Sequence, residues 1–159
     1  MRAAPRAASA SPAEPAASDA TQRLPAARRL RSAAQFAAVT SDPQALRAGR
    51  RWLSIAGRVQ SGRGEVPVRF GFTASRRHAR RAVDRNIAKR VLREAARRHI
   101  GQLDAAAASR SVDIVLRLRA AAPGRDALAR HQWKQALRAE ADALLEMLAR
   151  RLREAGDSR

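Results

Sequence analysis

Three stretches of the chain alternate apolar and polar residues with period two, and three others repeat at helical spacing. From Trp52 to Gln60, Leu53, Ile55 and Val59 point one way while Trp52, Ser54, Arg58 and Gln60 point the other, which predicts a half-buried strand. After Pro67 a second strand, over about 67–75, puts Phe70, Phe72 and Ala74 on one face and Arg69, Gly71, Thr73 and Ser75 on the other. The short loop Ser61-Gly62-Arg63-Gly64 joins them, and the simplest arrangement is an antiparallel pair. A third strand, Val112 to Arg119, alternates Val112, Ile114, Leu116 and Leu118 with Asp113, Val115, Arg117 and Arg119.

The helical signals frame these strands. Ser32-Ala33-Ala34-Gln35 is a capping box, in which Ser32 accepts from the Gln35 backbone while the Gln35 side chain reaches back. A short helix over about 33–41 follows, with Phe36, Val39 and Thr40 on one face; Asp42-Pro43 ends it. Between the second and third strands, Arg76 to Arg98 holds 10 basic and 2 acidic residues in 23. On a helical wheel Ala79, Val83, Ile87, Ala88, Val91, Leu92 and Ala95 fill one arc, and Arg85, Asn86, Lys89, Arg90, Arg93 and Arg97 the other. After Pro123-Gly124 a long amphipathic helix runs to about 155, with Trp133, Leu137, Leu144, Leu145, Leu148 and Leu152 as its stripe and Gly156 placed to cap it. The element order reads as α+β, an α-β sandwich.

Charge adds a partner to this outline. Lys and Arg number 33 against 14 Asp and Glu, a formal net charge of +19. Residues 23–119 carry 23 basic and 6 acidic side chains, whereas 126–159 carry 7 and 6. So large an excess costs self-repulsion on folding and points to a polyanion, nucleic acid or an anionic membrane surface. It argues against an enzyme for small neutral substrates. The absence of cysteine removes disulfides and thiolate zinc sites and agrees with a reducing, cytoplasmic setting. No run of about 18 apolar residues crosses a bilayer, so no membrane role is expected. Residues 1–22 contain no Leu, Ile, Val or Phe and are interrupted by Pro5, Pro12 and Pro15. They read as a disordered extension rather than a secretory signal; residues 23–155 are expected to form one domain that binds the polyanion, and 156–159 a tail.

The chemistry-bearing residues are few. His78, His99 and His131 have no Ser or Asp arranged around them, and Asp42, Glu65, Asp84, Glu94, Asp104 and Asp113 are scattered over different elements. No catalytic residue and no metal ligand is expected in this chain. The binding reading is stronger, because a guanidinium fork matches phosphate bidentately and stacks on bases. Trp52 either stacks on single-stranded bases from the polar sheet face or packs under the first helix.

Phe70-Gly71-Phe72-Thr73-Ala74-Ser75-Arg76-Arg77, then Arg81-Ala82-Val83-Asp84-Arg85-Asn86-Ile87-Ala88-Lys89-Arg90-Val91-Leu92-Arg93-Glu94, closely resembles the strand and signature helix of the bacterial ribonuclease P protein component. Leu30-Arg31 ahead of Phe36 and the order of elements extend the likeness over about residues 24–150. Two features depart from the family's pattern. Ser75 is followed by two arginines where the family has lysines, and Ile87 stands where it usually has a second arginine. One contact to RNA is therefore either lost or supplied by a neighbouring arginine.

The resemblance implies a small central sheet with helices and an unusual left-handed βαβ crossover through the basic helix. It implies a subunit of an endoribonuclease that removes the 5′ leader of precursor tRNA, with the catalytic groups in an RNA subunit. Carried over, Arg76, Arg77, Arg81, Arg85, Asn86, Lys89, Arg90 and Arg93 contact the ribonuclease P RNA subunit. Phe36, Val39, Thr40, Trp52, Arg58 and Thr73 line the cleft for the leader. Mg2+ is held mainly by RNA and substrate phosphates, and no obligate protein partner is evident. The competing class is a ribosomal protein or general RNA chaperone without a role in tRNA processing.

Overall fold

The computed structural model describes residues 23–158; the extension expected to be disordered, 1–22, lies outside the described residues. The elements are α1 (Ala33–Thr40), β1 (Leu46–Gly49), β2 (Leu53–Gln60), β3 (Val68–Thr73), α2 (Ala82–Ala107), β4 (Ser111–Leu118) and α3 (Ala127–Asp157), preceded by a 3-10 turn at Ala26–Arg28. The expected capping box forms: Ser32 Oγ accepts from the Gln35 backbone at 3.2 Å, and Gln35 Oε1 accepts from the Ser32 backbone at 3.2 Å.

The sheet order is β1-β2-β4-β3. The expected antiparallel pairing of β2 with β3 is therefore corrected: β4 lies between them, antiparallel to β2 and parallel to β3, with Val112 beside Val68 and Leu116 beside Phe72. Seven of the eight β4 residues are buried, and a strand buried on both faces belongs at the centre of a sheet. Parallel pairing needs a long crossover, which the 26 residues of α2 supply. β1, four residues with no sustained alternation, escaped the sequence reading.

Both faces of the sheet are covered. Leu53, Ile55, Phe70, Ile114 and Leu116 join Ala88, Val91, Leu92 and Ala95 of α2 and Leu137, Leu144, Leu145 and Leu148 of α3 in the main core. On the opposite face Ala56 and Val115 lie under α1 with Leu30 and Val39. Strand β2 is thus not half-buried throughout, because α1 crosses the face expected to be polar.

Residues 24–30 belong to the domain. Leu24 is 2% exposed in the main core, a burial that contributes roughly 2 kcal/mol. Arg28 grips Asp104 with two hydrogen bonds of 2.7 Å, and the Leu30 N–H donates to Phe70 O at 2.8 Å. The segment so occupies the outer edge of β3. On the α1 side of the sheet, buried Asp113 accepts from Arg69 at 2.8 and 2.7 Å and from Gln60 at 2.5 Å. The hydrogen bond to Asp113 and, after it, the attraction of that carboxylate hold the Arg69 guanidinium above its ordinary value against the opposing effect of burial. While Asp113 is a carboxylate, this contribution to stability is fully present below the ordinary arginine range and is lost as pH rises through the raised value.

Two details of the helices differ from expectation. Val83 is 43% exposed, and the first turn of α2 is anchored by buried Asp84 instead. Helix α3 starts on Asp126, whose carboxylate accepts from the Leu128 and Ala129 backbones, and continues through Gly156 to Asp157. Gly156 is no cap, and Gly156 and Asp157 of the expected 156–159 tail belong to the helix. Ser158 Oγ donates to Glu154 O at 2.9 Å, satisfying a terminal carbonyl without a left-handed glycine, and one turn earlier Arg110 Nη2 ties Leu152 O to the α2–β4 junction at 2.7 Å.

Candidate nucleic-acid interface

Two basic surfaces emerge. The first is the outward side of α2 and the loop before it. Ser75 O accepts from the backbones of His78 and Ala79, and His78 O from Ala122, so the loop bearing exposed Arg76, Arg77 and Arg80 is pinned at both ends. Arg85, expected on the outward ladder, turns back: its Nη1 donates to Ala79 O at 3.0 Å and Arg80 O at 2.9 Å, bracing this loop. Arg81 is half-buried, with Nη1 enclosed and without a hydrogen bond, while Asn86, Arg90 and Arg93 are exposed. A cavity of about 420 Å³ opens between α2 and the N-terminal segment, lined by Arg90, Arg93, Glu94 and Arg97 on one side and Arg23, Leu24 and Arg29 on the other. Arg23 and Arg29 were missed by motif reading, because only the fold brings residues 23–29 beside α2; Arg97, on the outward arc of the wheel, joins them there.

The second surface is the part of the α1 face that α1 leaves open. The helix crosses the sheet over Gly71, Ala56 and Val115: Phe36 lies against Gly71, where a Cβ would stand 2.5 and 2.7 Å from its ring carbons. Beyond this crossing the register aligns Gly49, Ser54, Arg117 and Thr73 across all four strands. Two adjoining cavities, about 510 and 320 Å³, follow this row and share Ser54, Arg117 and Arg119. His78 and Lys89 border the larger, and Thr40 and Arg47 the smaller. Neither cavity is lined by a carboxylate.

The residues expected at the leader cleft divide accordingly. Thr40 and Thr73 lie in it. Phe36 is half-buried against Gly71, and Val39, fully buried, fastens α1 to Ala56 and Val115 rather than facing the cleft. Arg58 pairs with Asp42 at 3.3 Å and stands opposite Asp113, on the far side of Ala56 from Ser54. Trp52 follows neither alternative: it packs against the main core beneath the Arg51 guanidinium, 4.8 Å away, and its backbone N–H donates to Glu140 at 2.9 Å. Lys89, expected on the ladder, faces the cleft. Arg117 and Arg119 were the omission. Their alternation with Leu116 and Leu118 was visible, but only a central β4 puts Arg117 in mid-sheet. Among the described residues no three His, Asp or Glu side chains converge to hold a metal ion.

The ribonuclease P family model matches residues 24–148. The chain belongs to the ribonuclease P family. Solved ribonuclease P proteins share its fold: one from Staphylococcus aureus is 17% identical with a TM-score of 0.55 and covers 76% of this chain and 94% of its own. One from Thermotoga maritima is 23% identical with a TM-score of 0.53, covering 77% and 96%. No curated protein sequence matches. Ribonuclease P is an endoribonuclease of tRNA processing that works with an RNA subunit, and this chain takes part as an RNA-binding protein. The α+β fold and the β3-α2-β4 crossover expected for ribonuclease P are both present. No helix among the described residues is long and apolar enough to cross a membrane.

Proposed function

We propose that the two basic surfaces divide the labour of a ribonuclease P protein. The exposed side of α2, with the loop at Arg76 and Arg77, docks on the catalytic RNA subunit; the cleft along Ser54, Arg117 and Thr73 holds the single-stranded 5′ leader of precursor tRNA. The observation that carries this reading is the cleft: an open groove across four strands, furnished with guanidinium, ammonium and hydroxyl groups and no acid. Such a groove follows a phosphate backbone, and half-buried Phe72 at its margin offers a ring to a base. Hydrolysis and the magnesium ions it needs belong to the RNA subunit and the substrate phosphates, in the cytoplasm where precursor tRNA is made. The chain raises substrate affinity and helps organise the metal-dependent cut.

Reconstitution tests this. With an RNA subunit of bacterial ribonuclease P at low magnesium, the full chain is expected to accelerate cleavage of precursor tRNA; no acceleration overturns the reading. Arg117→Ala is expected to weaken binding of leader-bearing tRNA by about 1 kcal/mol or more, the scale of one charge-assisted hydrogen bond. Binding of mature tRNA is expected to stay as it was. Equal effects on both would identify a general RNA binder.

A further inference from the structure

Helices α2 and α3 are joined by cross-helix ion pairs from a stripe of α3 residues spaced by four: Arg130, Lys134, Arg138 and Asp142. Arg130 Nε stands 3.4 Å from Asp84, Arg138 Nη2 3.9 Å from Glu94, and Asp142 takes Arg98 at 2.8 Å. Lys134 breaks the series. Opposite it on α2 are Ile87 and Val91; Glu94 lines the same groove but pairs with Arg90 at 3.5 Å and Arg138 at 3.9 Å, and Lys134 makes no ion pair or hydrogen bond among the described residues. It lines a groove of about 200 Å³ with an apolar floor, Ile87 and Val91, and rims formed by Arg90, Arg138 and Glu94, so three cations face one carboxylate there. Arg90 also lines the arginine-rich cavity on the other flank of α2, so the groove continues the basic surface of that helix.

An ammonium left unmatched in an otherwise matched row, half-buried beside apolar side chains, is poised for an anion from outside. A strand crossing α2 reaches the groove through Arg90. We propose that the groove between α2 and α3 seats a backbone phosphate of the RNA docked on α2, with Lys134 as its cation and Arg90 and Arg138 at its margins. The docking surface then spans two helices, although the charge of residues 126–159 is nearly balanced. The proposal rests on the RNA-docking reading above.

The experiment titrates the full chain and its Lys134→Ala, Lys134→Arg and Arg93→Ala variants with the RNA subunit across a salt series, after thermal melting confirms that each is folded. Lys134→Ala is expected to lower the log–log salt slope of binding by about 0.7 to 0.9, one phosphate contact, and Lys134→Arg to restore it. An unchanged slope for Lys134→Ala, with the wild-type slope steep and Arg93→Ala shallower, overturns this proposal alone. Absence of salt-dependent binding by the wild type overturns the docking reading itself.

Discussion

Gly71 is the position on which the cleft depends. Its missing Cβ lets the Phe36 ring lie on the strand, and Leu30 closes on the same point, 3.2 Å from where a Cβ would be. Gly71→Ala forces α1 off the sheet, with an expected loss of about 1–3 kcal/mol from overpacking, read by thermal melting. Leader affinity is expected to fall while RNA-subunit binding persists, since α2 docks on the other face; a variant as stable as wild type would show that α1 does not need this close approach. At this scale the sequence was informative about residue types and less so about direction. Arg85 carries the charge expected of it but spends a guanidinium nitrogen on Ala79 O and Arg80 O, a choice set by a loop conformation that no periodicity encodes. Val39 lay on the expected face of α1, yet that face meets Ala56 and Val115, so it supports the cleft from below.

Among elements, the junction of α2 with β4 holds local strain. Ala108 has φ 56° and ψ −116° and sits between Ala107 O and the Arg110 N–H, 3.1 Å apart, which is the first central position of a type II′ turn and favours glycine. Ala108→Gly is expected to raise stability by about 1 kcal/mol by relieving that strain; chemical denaturation measures it, and no gain would place the turn among relaxed conformations. The same region shows why element type was easier to read than pairing. Each long helix and strand announced itself by period, because one face of each is buried. The order β1-β2-β4-β3 was not legible, since pairing is decided by what α2 brings alongside β3 after 26 residues, and a Gly-rich loop after β2 suggests a hairpin equally well. With β2 and β3 paired directly, nothing put Arg117 in mid-sheet, and the cleft lost its centre.

For the whole molecule, salt is the controlling variable. Docking through several arginines releases condensed counterions, so the affinity for the RNA subunit is expected to fall linearly on a log–log plot as salt rises. A filter-binding series reads the slope, and a nearly flat plot would show that the basic surfaces are solvated and not engaged. The ion pairs between helices add a kinetic consequence. Every acid on α2 is claimed from within the fold: Asp84 by Arg130, Glu94 by Arg138, and Asp104 by Arg28. The acids of that helix are thereby neutralised by neighbouring cations, and the field it sends into solvent is dominated by its arginines. A polyanion approaching by diffusion is turned toward that side before any contact forms, so the structure sets the orientation of the encounter and favours fast capture at low ionic strength.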